Sequence, residues 1–180
     1  EEIISDKNKS KKLYHGYKLA GHVTQEFRVE NEFIVSSGFQ KFLSNSVSSW
    51  IKLSENKEIK EFKLIRSWVV RQFQNDYNPV HWHGGHISGV GYLKVPSSLG
   101  ENKQPEKKNN NNGKIELIHG SKQFLSSSSI VVTPEVGYFY FFPHYMMHTV
   151  YPFNGSKEER RSISFNALVD EKIFNVYGNH

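Results

Sequence analysis

Residues 78–93 run Asn78-Pro79-Val80-His81-Trp82-His83-Gly84-Gly85-His86-Ile87-Ser88-Gly89-Val90-Gly91-Tyr92-Leu93, and they constrain the fold more than any other stretch. Three of the chain's nine histidines fall within six positions here, followed by glycines and an apolar run that reads as a strand. Side chains alternate along an extended segment, so His81 and His83 share one face. Neutral imidazole offers a nitrogen lone pair near neutral pH, and two rings aimed at one point are half of a metal site. The intervening Trp82 points the other way and reads as core packing. The fold must therefore bring this strand end to a place where a further ligand arrives from elsewhere in the chain.

The remaining pattern is one of short strands. Residues 61–73 alternate in the manner of a strand, and 115–118, 130–132 and the aromatic run 138–142 follow, divided by Gly and Pro turns. Segments 13–23 and 26–29 also look extended, and 148–151 is expected to pair with 161–166. Residues 37–53 place Phe39, Phe42, Leu43, Val47, Trp50 and Ile51 at spacings of three and four, which predicts an amphipathic helix. Thirteen Phe and nine Tyr favour strands over long helices. The expected architecture is mainly β, a sandwich or barrel with one or two supporting N-terminal helices.

A length of 180 residues suits one domain spanning 1–180. Residues 1–12 are polar and read as a disordered end, and 97–114 as a mobile polar loop inserted between strands. The net charge is +5, but the lysines gather in these two polar segments, so a nucleic-acid groove is not expected. With no cysteine, any metal must be held by imidazole or oxygen. No apolar run approaches the ~20 residues of a membrane span and no signal peptide is legible, so the expected compartment is the cytoplasm. The chain starts at Glu1 rather than Met, which reads as a processed form or a fragment.

The best further ligand is His148, just beyond the aromatic strand and Pro143. After it come Arg160, Arg161 and Ser162. Alternation sends Arg160, Ser162 and Ser164 to one face and Arg161, Ile163 and Phe165 to the other. A guanidinium fixed on a strand offers an anion both charge and bidentate geometry, and Arg160 is preferred over Arg161 because it shares its face with the two serines. His15 and His22 carry no ligand spacing, His119 beside Gly120 reads as a turn residue, His144 near the Pro143 turn lies either at the mouth of the site or in an exposed loop, and Trp68 reads as core.

Taken together, His81-x-His83, Ser88-Gly89-x-x-Tyr92, Pro134-x-x-Gly137 leading to Phe142-Pro143, His148, and Arg160-x-Ser162-x-Ser164-Phe165-Asn166 resemble the iron(II)- and 2-oxoglutarate-dependent oxygenases. Within them the pattern is similar to the bacterial and phage branch related to prolyl hydroxylases. The resemblance covers about residues 60–168. It implies a double-stranded β-helix, or jelly roll, with iron at the open end. It also implies His81 as proximal and His148 as distal iron ligand, and Arg160 with Ser162 and Tyr92 around the far carboxylate of 2-oxoglutarate. Dioxygen would be the oxidant, and the activity implied is hydroxylation of a protein side chain or small molecule.

The sequence departs from this pattern where the family places a carboxylate ligand, two positions after the proximal histidine. His83 stands there, and no Asp or Glu occurs between Asp76 and Glu101. Three repairs are open. His83 completes an all-imidazole site; or His83 is itself proximal and Gly85 leaves a gap for water or chloride; or His86 folds back across Gly84-Gly85. Two other function classes stay open beside the oxygenase: a three-histidine cupin-type enzyme that uses no 2-oxoglutarate, and an inactive metal-binding jelly roll. The primary substrate and the oligomeric state are not legible.

Overall fold

The computed structural model describes residues 1–176. Among the described residues, nine strands form two antiparallel sheets. The larger holds β1 (Gln25–Arg28), β2 (Phe62–Gln72), β9 (Arg160–Val169), β4 (Ile87–Lys94) and β7 (Phe139–Pro143), side by side in that order. The smaller runs β3 (Asn78–His81), β8 (Met147–Val150), β5 (Ile115–Ile118), β6 (Ser129–Val132). From β3 onward most consecutive strands change sheet, as a jelly roll requires, and the expected double-stranded β-helix is what forms.

Between the sheets lie Val90, Tyr92, Ile115, Leu117, Phe142 and Val150. The outer face of the large sheet is covered by the predicted helix, here α4 (Phe39–Glu55). Leu43, Val47 and Ile51 on its apolar stripe bury against Ile87, Phe165, Ala167 and Val169. Each such buried aliphatic side chain contributes roughly 2 kcal/mol. A shorter helix, α3 (Asn31–Ser36), precedes it, and Gly38 separates the two at φ 76°, a left-handed backbone that costs glycine little. In β4, Gly91 lets the aromatic strand lie close, because a Cβ there would fall 2.2 Å from the Phe139 ring.

Four expectations change. Residues 1–12 form α1 (Glu2–Ser5) and most of α2 (Lys7–Leu13) rather than a disordered end. Asp6 caps α2 by accepting from the Asn8 and Lys9 amides, Lys9 pairs with Glu2, and Leu13 is buried. Segment 13–23 is the end of α2 and a 3-10 turn at Gly16–Lys18, not a strand. The strand holding His148 pairs with β3 and β5, whereas β9 pairs with β2 and β4. Trp82 is 67% exposed instead of packed in the core.

Loop 97–114 contains no helix or strand, but its asparagines tie it together. The Asn102 amide donates to the Lys107 and Asn109 carbonyls and Asn110 donates to Gly100 O. A final short helix, α5 (Glu171–Phe174), follows β9. No helix among the described residues is long and apolar enough to cross a membrane.

Candidate metal centre and cofactor cavity

The short strand β3 delivers His81 directly opposite His148 of β8, two histidines brought together by strand register. His83 lies just past the end of β3, and its backbone N–H donates to His144 O. The three imidazoles converge so that one ligand nitrogen from each lies within 4.8 Å of the others. Ring centroids are 4.2 Å apart for His81 and His148, 5.0 Å for His81 and His83, and 4.9 Å for His83 and His148.

Hydrogen bonding orients two of the rings. A carbonyl oxygen can only accept, so Nδ1–H of His81 donates to Pro79 O at 2.7 Å, and Nδ1–H of His148 donates to Met146 O at 3.0 Å. Both Nε2 lone pairs are thereby left free, the tautomer a metal ligand needs. The Trp68 ring stands edge-on to His83 at 5.5 Å. Burial, then the neighbouring His148, His81 and Arg66 charges, push His83 down to about 3. Burial and His81 push His148 down to about 4, and burial also lowers His81. All three are neutral at pH 7 and available as donors to a cation.

His86 does not join them. Its Nδ1 bonds to the Val169 backbone and its ring stacks on Phe174 at 3.8 Å. Gly85 also turns away, since a Cβ there would meet Ala167 O and Ile65 at 2.9 Å. Among the described residues no Asp or Glu joins the cluster, so the site is all imidazole.

A cavity of about 230 Å³ opens beside the cluster, lined by both sheets. Arg160, Ser162 and Ser164 face it from β9, and Arg161 and Ile163 lie on the opposite face, as strand alternation requires. The neighbouring arginines are held in opposite ways. Arg161 is engaged by Glu159 and Glu1. Arg160 is 2% exposed, sits 4.9 Å over the Tyr92 ring and donates through Nη1 to Gln72, while its Nε has no partner. The fully buried Tyr92 hydroxyl has no partner either. Unpaired buried donors are costly and uncommon, and these two fit an incoming carboxylate.

One functional candidate left no signal in the sequence. Glu26 of β1 lines the same cavity with both carboxylate oxygens unpartnered, and burial raises its carboxyl to about 7. A single Glu in a short strand has no spacing to mark it.

The fold has known counterparts. A prolyl-4-hydroxylase from Pseudomonas putida aligns over 79% of this chain and 71% of its own, at 15% identity and a TM-score of 0.50. The viral collagen prolyl hydroxylase of Paramecium bursaria Chlorella virus-1, solved with 2-oxoglutarate, aligns over 82% and 79% at 15% identity and 0.53. HygX of Streptomyces hygroscopicus, solved with nickel and 2-oxoglutarate, aligns over 78% and 70% at 11% identity and 0.50. No curated protein sequence matches the chain. Residues 66–166 match the family described as "Putative 2OG-Fe(II) oxygenase", whose cofactors, iron(II) and 2-oxoglutarate, suit three neutral imidazoles beside two unpaired buried donors. That match spans more than half of the sequence, and the chain belongs to the 2OG-Fe(II) oxygenases.

Proposed function

We propose that this protein is an Fe(II)- and 2-oxoglutarate-dependent hydroxylase whose iron is held by His81, His83 and His148. The observation that carries the reading is the pairing of a three-imidazole cluster with a buried guanidinium that has a free N–H, in one cavity. In this reading Arg160 and Tyr92 donate to the far carboxylate of 2-oxoglutarate, with Ser162 beside them on the cavity wall. Once bound, the cofactors would supply an oxidation by dioxygen in which one oxygen atom goes to 2-oxoglutarate, which loses carbon dioxide and leaves as succinate, and the other hydroxylates a second substrate.

The protein's own contribution is placement and charge. Neutral imidazoles leave the full double positive charge on the iron, so the dianionic co-substrate carries more of its neutralisation than it would beside a carboxylate ligand. Metal affinity is therefore expected to rise sharply when 2-oxoglutarate is present. The buried Arg160 side chain favours this reading over a cupin-type enzyme without 2-oxoglutarate, which has no use for such a cation.

Anaerobic addition of Fe(II) and then 2-oxoglutarate tests the reading. A weak visible charge-transfer band is expected, absent in His148→Ala. Tight metal binding with no band at any 2-oxoglutarate concentration would move the assignment to a cupin-type or inactive metal module.

A further inference from the structure

Glu26 is the one acidic side chain among the described residues lining the cavity. It is 1% exposed, and neither of its oxygens has a partner. Cross-strand register puts it level with Val70, which pairs with Ser162, which in turn pairs with Tyr92, so it shares a rung with the co-substrate wall. It is not part of the three-imidazole cluster. No hydrogen bond from Arg160 or from any other cation among the described residues reaches its carboxyl.

The surroundings keep room beside it. A Cβ on Gly21 would come within 3.0 Å of Glu26 Oε1 and 3.2 Å of Asn78 Nδ2, so a bare backbone borders the carboxyl. A polar chain runs toward it from the co-substrate side: Arg160 donates to Gln72, and Gln72 Nε2 donates to Asn78 Oδ1 at 3.2 Å. A neutral donor from a ligand would satisfy one oxygen and leave the charge buried. A guanidinium or ammonium satisfies the acceptors and offsets the charge together. The other charged side chains lining the cavity, Lys18, Arg66 and Arg160, are cationic. Glu26 is therefore the one side chain on the cavity wall that attracts a positive group by charge, and this orients it.

We infer that Glu26 is the specificity-determining residue for the primary substrate, which presents a cationic nitrogen to it, so that the substrate class is a basic amine or guanidine. This rests on reading the cavity as an oxygenase site, and the test separates the two. Protein loaded anaerobically with Fe(II) and 2-oxoglutarate is titrated calorimetrically at pH 8, where the Glu26 carboxyl is ionised, with n-butylguanidinium and with its neutral isostere N-butylurea. The charge-transfer band, recorded on the same wild-type samples, reports site loading independently.

The guanidinium is expected to bind at least tenfold more tightly than the urea. Glu26→Gln should bring the two within about twofold, and Glu26→Asp, which keeps the charge if the amide variant fails to fold, should retain a preference. Equal binding of the two probes by the wild type, or no binding of either, overturns the proposal even when the band is present. So does a Glu26→Gln protein that keeps the full preference while its band shifts, because Glu26 would then serve the metal's charge instead. A missing band counts against the oxygenase reading, whereas the probe preference stands or falls by the titration.

Discussion

Glu26 and Glu159 are both buried carboxylates, and their surroundings differ completely. Glu159 lies between Arg71 and Arg161 and accepts four hydrogen bonds from their guanidiniums, at 2.7 to 3.0 Å. Burial alone would raise its carboxyl, but the two arginines outweigh it and hold the group down at about 2. Glu26 is buried too, with no cation hydrogen-bonded to it, and burial raises it to about 7. The same division separates Arg161, paired on the outer face of β9, from Arg160 on the inner. Buried polar groups are normally paired. Among the described residues, every buried side-chain atom without a partner belongs to Glu26, Arg160 or Tyr92. The fold pairs Glu159 and Arg161 where they hold strands together and leaves polar atoms of Glu26, Arg160 and Tyr92 unpaired around the cavity, where in the proposed reading the ligands would pair them.

The strongest way to break this comparison is to truncate the two arginines in turn. Removing one partner from a buried, charge-assisted pair costs about 4 kcal/mol, roughly a thousandfold. Arg160→Ala should therefore raise the 2-oxoglutarate concentration that half-saturates the charge-transfer band by about that factor, with little loss of melting temperature. Arg161→Ala should do the reverse, lowering the melting temperature because it uncovers Glu159, and leaving the half-saturation within about twofold. If both variants affected the band alike, the two faces of β9 would not be divided as described.

The two glutamates should give the apoprotein opposite pH profiles. Glu26 has a folded value near 7 against ~4.3 when unfolded. Between those values the unfolded chain ionises first, so stability falls as pH rises and levels off above 7. Glu26→Gln should consequently stabilise the protein at pH 8 by about 3 kcal/mol more than it does at pH 4. Glu159 has a folded value of about 2, so its contribution is complete above ~4.3 and is lost as pH falls toward 2. Allowing for screening, that loss is about 2 kcal/mol, and Glu159→Gln should abolish it. Thermal melts of the wild type and both variants from pH 2 to 8 check the two signs at once.

Much of the cavity was legible in the sequence because strand alternation is a strict rule. It separates Arg160 from Arg161, whereas His83, two residues past the end of β3, reaches the His81 ring without strand geometry to place it. What failed depended on long-range partners. Helix α1 and the start of α2 look like a loose polar end because their apolar content is low, yet Asp6 caps α2, Leu13 is buried and Glu1 reaches Arg161 across 160 residues. Sequence proximity pairs the strand holding His148 with 161–166, but a jelly roll sends such neighbours to different sheets, and this crossing is what brings His148 to His81. Strand alternation sends Trp82 to the core only if it continues one residue beyond the end of β3, where the side chain is instead exposed. Glu26 was invisible, since only the folded register shows that nothing faces it.

A milder change sharpens the comparison from the side of space rather than charge. Gly21 lies in the loop before β1 at a backbone conformation open to any residue, so alanine there adds one methyl group and no backbone strain. The added carbon would sit 3.0 Å from Glu26 Oε1 and 3.3 Å from Val23 Cγ2, closer than comfortable contact. The carboxyl must yield by a few tenths of an ångström, at a cost of about 1 kcal/mol. Gly21→Ala should melt within a few degrees of the wild type and form the charge-transfer band normally, while weakening n-butylguanidinium several-fold more than it weakens N-butylurea. A uniform loss of both probes would mean that the methyl group only narrows the cavity. A selective loss would tie recognition of the cation to the position of the Glu26 carboxyl.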